Sequence, residues 1–152
     1  MWATYQGSVE VCPGNKDVLL RDAVPPPGLL AVARLDGLAM EDADGVFEQF
    51  SDSLSFPSYF GWNWAALSEC LRDLQWLPAH HYLIVIDDAP RILSAWPEER
   101  MELFRILVRA SRHWATAPGI QVLGRRPSFG VLLLCDERDV VSFKMEFSAF
   151  LR

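Results

Sequence analysis

Basic residues are in the minority: 14 Lys and Arg stand against 20 Asp and Glu, for a formal net charge of −6. General DNA or RNA binding needs a basic stripe that displaces counterions from phosphates. The charge balance counts against it and suits a partner with a positive patch. Cysteine is scarce too. Cys12, Cys70 and Cys135 are odd in number, far apart and set in apolar stretches, which reads as buried free thiols and not a disulfide framework. No apolar run approaches the roughly 20 residues of a membrane span. The opening residues, MWATYQGSVEVC, have neither the basic start nor the apolar stretch of a secretory signal. The expectation is a cytoplasmic protein that is not membrane-bound. A phosphate-binding glycine loop and a nucleophile motif are both missing, so neither an enzyme nor a cofactor is expected.

What is present suits one ordered domain. The chain has 152 residues, 51% of them hydrophobic and 22% charged, enough to bury a core without staples. Residues 1–28 differ in composition: a hairpin from Met1 to Arg21, turning at Pro13-Gly14-Asn15, is expected before the stiff connector Pro25-Pro26-Pro27-Gly28. LLAVARL, from Leu29, has a strand's length and is closed by Asp36-Gly37. Val46, Phe47, Phe50 and Leu54 recur at helical spacing and predict a helix over Met40–Ser53. Tyr82–Asp88 reads as a buried strand, and Pro97-Glu98-Glu99 opens a helix with Leu103, Phe104, Leu107, Ser111 and Trp114 inward. Ile120–Leu123 and Gly130–Asp136 are further strand candidates. The tail VVSFKMEFSAFL fits two periods, and the alternation of Val141, Phe143, Met145 and Phe147 favours a strand. Apolar strands alternating with helices imply an α/β fold with a small, mostly parallel sheet covered by helices.

The most informative stretch is FPSYFGWNWAALSECLRDLQWLP, Phe56 to Pro78. It crowds aromatics into a turn and then forms an amphipathic helix. Trp64, Leu67, Cys70, Leu71 and Leu74 share its apolar face; Ala65, Ser68, Glu69, Arg72 and Asp73 share the other. Phe56-Pro57, Tyr59-Phe60-Gly61, Asn63, Ala66-Leu67 and Cys70-Leu71, followed by Pro78 and a buried strand, resemble the barstar-type ribonuclease inhibitors. The resemblance covers roughly Leu29 to Asp136, with residues 1–28 and 137–152 as extensions. It implies an intracellular inhibitor that plugs the active site of a secreted, guanine-preferring microbial ribonuclease with a loop and a helix. The alternative is an immunity or interaction module of the same fold for another protein partner.

The resemblance also implies which residues bind the partner. Tyr59, Gly61 and Asn63 stand at the family's loop positions, and Glu69 stands where the family has the Asp that enters the nuclease cleft. Ala65 stands for another helix Asp, Ser68 and Leu74 for two Trp residues, and Arg109 for a Glu that contacts the nuclease. Asp73 is a second acid one turn beyond Glu69. Trp62, which the resemblance does not supply, either tucks under the loop or points at a partner. Arg72 completes the candidate set. Glu69 and Arg72 at i, i+3 would equally make an ordinary surface ion pair. Elsewhere, His80-His81 and Asp87-Asp88 lie at opposite ends of one strand, too far apart for one metal site. No metal is expected, and Gly124–Gly130 reads as a solvated turn.

Overall fold

The computed structural model describes residues 9–14, 28–116 and 127–149. Two near-continuous apolar runs form the middle of its sheet, as β3 (His81–Asp87) and β4 (Ser128–Cys135). Strand β1 (Val9–Pro13) lies outside β4, and β2 (Leu30–Asp36) lies outside β3, in the order β1-β4-β3-β2. Every pairing is parallel, so the described sheet is wholly parallel. The central strands are buried along almost their whole length, which is why they show no polar alternation. The edge strand β2 does alternate, with Ala33 and Leu35 buried and Arg34 exposed.

Four helices occur among the described residues: α1 (Ala43–Leu54), α2 (Trp64–Asp73), α3 (Pro97–Thr116) and α4 (Val140–Ser148). Their apolar stripes join Ala33, Leu35, Ile84, Ile86, Val131 and Leu133 in one core on one face of the sheet. Leu83, Val85, Leu132 and Leu134 form a smaller buried cluster on the other face. No described helix is long and apolar enough to cross a membrane.

Helix directions follow from their end contacts. In α3, Arg100 near the start donates to the Pro90 and Ile92 carbonyls just beyond β3. Trp114 near its end packs on Tyr82 and Phe129, the second residues of β3 and β4. Helix α2 finishes at the same edge, where the Trp114 indole donates to the Leu71 carbonyl at 2.8 Å. Thus α2 and α3 run side by side in one direction, opposite to the strands. Helix α1 also guards the open edge of β2. Gln49 accepts the Asp36 amide at 2.9 Å, and the Ser53 hydroxyl donates to the Arg34 carbonyl at 3.2 Å.

Some expectations need correction. The tail is helix α4 and not a strand. Phe143 and Phe147, one turn apart, both reach Phe104, at centroid distances of 6.0 and 5.3 Å. The alternation pattern needed Val141 and Met145 inside as well, yet these are 72% and 70% exposed. Val9–Pro13, placed by the sequence in a separate hairpin, is an edge strand of the main sheet; the return arm from residue 15, the Pro25–Pro27 connector and the strand expected at Ile120–Leu123 lie outside the described residues. The histidines have structural partners: His80 Nδ1 accepts the Leu29 amide at 2.8 Å, and His81 Nδ1 lies 2.7 Å from the Ser128 hydroxyl.

Candidate functional site

The loop from Ser55 to Asn63 is pinned from beneath by its own aromatics. Phe56 meets Phe60 edge-on at 4.9 Å and Trp76 at 5.7 Å, while Phe60 and Trp64 both pack on Phe47 of α1. Phe60 is 5% exposed. With these rings inward, Tyr59 and Trp62 are left outward, 72% and 51% exposed. Trp62 has a left-handed backbone (φ +52°), a conformation that L residues seldom adopt, and its ring leans on Phe60 at 5.4 Å. The sequence left its direction open; the structure resolves it as outward over an anchored Phe.

Asn63 uses both polar atoms of its exposed side chain within the chain. Its Oδ1 accepts the Ala66 amide at 2.8 Å as the N-cap of α2, and its Nδ2 donates to the Gly61 carbonyl at 3.1 Å. Gly61 leaves room beside that brace: a Cβ there would lie 3.1 Å from Asn63 Nδ2 and press on it. Both residues set the shape of the loop. Asn before an apolar helical pattern is a recognisable cap signal, although it was read above only as a contact residue.

On α2, Glu69 is exposed and forms no ion pair among the described residues. Arg72 does not answer it. Its Nε donates instead to the Ser68 carbonyl at 3.1 Å, one turn back on the same helix. The alternative of an ordinary i, i+3 surface ion pair is thereby not realised: Glu69 is an open carboxylate, and Arg72 is turned toward α3. Asp73 is half-buried one turn after Glu69. Ser68, assigned by the sequence to the polar face, is 7% exposed, because that shoulder of α2 lies against α3. Leu74 is buried and closes the helix in a left-handed conformation, so the chain turns before Pro78 is reached.

The electrostatics are local. Burial, followed by the nearby charges of Asp73 and Glu69, pushes the Cys70 thiol above its ordinary pKa, which keeps it protonated and unreactive. His113 of α3 sits beside Arg72. Burial and then the arginine charge lower its pKa, partly countered by a hydrogen bond with the Arg72 backbone. The outer surface of α2 and its loop therefore offers two exposed aromatics and a carboxylate without an ion pair among the described residues, on a rigid frame. Such a surface can dock on a protein with a cationic recess.

The sequence model of the family Barstar (barnase inhibitor) matches residues 30–130. The chain belongs to the barstar family. The match takes in β2 to the start of β4, and with it the whole loop, α2 and α3. No curated protein sequence matches the chain. Within the barstar fold, the acidic residues of this chain's α2 are Glu69 and Asp73, with Ala65 exposed between the loop and Glu69.

Proposed function

We propose that this barstar-family chain is a cytoplasmic inhibitor of a secreted, guanine-preferring microbial ribonuclease and has no catalytic activity or cofactor of its own. One observation carries the reading: Glu69, on a capped helix beside the pinned Tyr59 and Trp62, is exposed and without an ion-pair partner among the described residues. A nuclease cleft must present cations to hold RNA phosphates, and a carboxylate on a rigid helix can take a phosphate's place. Asn63 and Gly61 fix the loop so that little ordering is needed on binding. Tyr59 and Trp62 supply large apolar area beside the charge. Arg72 and Asp73 border the same surface. The contact would be of ordinary inhibitor size, about 1,600 Å² in total.

The test is direct: mix the purified chain with barnase and follow cleavage of RNA. Stoichiometric loss of cleavage is expected. A second reading, an immunity module for a different toxin, draws on the exposed Ala65 and Arg109 where a purely acidic surface would carry carboxylates. Unimpaired cleavage by barnase and by other guanine-preferring ribonucleases, with micromolar chain present, would favour that second reading.

A further inference from the structure

Beside the acidic surface of α2 lies a surface of opposite sign. Arg105, Arg109 and Arg112 recur at i, i+4 and i+7 along α3, and all three are exposed. They stand on one stripe of that helix, opposite the buried Leu103, Leu107 and Trp114. Since α2 and α3 run in the same direction and His113 meets Arg72, one turn back along each helix sets Arg109 level with Ser68 and Glu69. Arg72, held to the Ser68 carbonyl, extends the arginine surface onto α2. Arg72, Arg105 and Arg109 form no ion pair among the described residues. In a chain of net charge −6, this gathers cations on one helix face, and among the described residues Arg72, Arg105 and Arg109 adjoin the proposed docking surface without an ion pair.

We infer that this arginine flank seats acidic side chains of the partner, next to the cationic cleft that receives Glu69. The inference rests on the proposed function above and specifies the partner further: a protein with a cationic recess bordered by carboxylates. Arginine suits that role because its planar fork binds carboxylates in pairs and is weakly hydrated. Phosphates suit the surface less, because Glu69 and Asp73 adjoin it and would repel a polyanion. The consequence is selectivity by charge. A nuclease whose rim is cationic all round meets like charge at Arg109 and is bound less tightly.

Inhibition constants against barnase, measured for the wild type, Arg109→Glu, Arg105→Glu/Arg109→Glu and Glu69→Ala, test this. These positions are exposed, so circular dichroism should report the same fold for each. With the arginines seated on carboxylates of the nuclease, the wild type inhibits in the micromolar range or better, Arg109→Glu weakens inhibition at least tenfold, and the double variant weakens it further. Inhibition unchanged or tightened by Arg109→Glu overturns the inference while leaving the ribonuclease reading intact. No inhibition by the wild type or any variant removes that reading, and this inference with it. A fluorescent single-stranded RNA probe supplies the remaining arm. Salt-sensitive binding of that RNA to the wild type, lost in the double variant, would make the flank a nucleic-acid surface and overturn the inference.

Discussion

Arg100, in the seam between α3 and α4, and Glu69, on the outer surface of α2, are helix charges handled in opposite ways. Arg100 is 8% exposed and its donors are taken up inside the protein. Its Nε and Nη2 reach both oxygens of Glu146 on α4, at 2.7 and 3.2 Å, and its Nη1 serves the carbonyls of Pro90 and Ile92. The guanidinium also lies over Phe104 and Phe143, at 5.0 and 5.5 Å. Glu69 has no such company among the described residues. The difference teaches a rule for reading charges in this fold. One that is saturated internally fastens elements together, whereas one held out on a rigid frame is available to a partner.

Substitution at each site should therefore move a different quantity. The largest effect on folding is expected for Arg100→Ala, which strands the buried Ile92 carbonyl and the part-buried Pro90 carbonyl and removes the ion pair that ties α4 to α3. A loss of about 4 kcal/mol is expected, or roughly 10 °C in the thermal midpoint, with inhibition by the folded protein unchanged. Calorimetry beside an inhibition assay checks both halves. Glu69→Ala should do the reverse. Stability should stay within about 0.5 kcal/mol, while binding to the ribonuclease weakens by roughly 2–5 kcal/mol, about 30-fold to several thousand-fold. Equal binding by that variant would erase the contrast. For Trp62→Ala, titration calorimetry should show binding weakened by about 2 kcal/mol, with stability changed by less than about 1 kcal/mol.

The smallest effect concerns the boundary between α2 and α3. The His113 pKa is lowered in the folded protein, first by burial and then by Arg72, so the unfolded chain binds its proton more readily. This contribution to stability is complete above the ordinary histidine pKa and diminishes as pH falls through it. Denaturant titrations of the wild type and His113→Gln should diverge below about pH 6.5, the wild type losing more. Parallel profiles would remove His113 from the account.

The central strands were legible in the sequence because burial on both faces leaves an unbroken apolar run, as in Tyr82–Ile86 and Leu132–Leu134. Helix α2 was legible from its 3.6-residue stripe and the resemblance of its loop. The tail was not. Phe143 and Phe147 fit a strand and a helix equally, and Phe104, far away in sequence, decides between them. The same non-locality hid Ser68, whose burial depends on α3. Asn63 carried a readable cap signal, whereas the left-handed backbone at Trp62 has no signature, since Trp is not a residue that favours it. Arg72 could not be assigned from spacing alone, because the Ser68 carbonyl and the Glu69 carboxylate both lie within one turn of it, and it takes the carbonyl.

Hydrogen–deuterium exchange on the chain, free and with excess barnase, is the most direct test of where the partner is gripped. Slowed exchange concentrated in Tyr59–Asp73 is the expected result. Slowing confined to other segments, with Tyr59–Asp73 exchanging as in the free chain, would contradict the account.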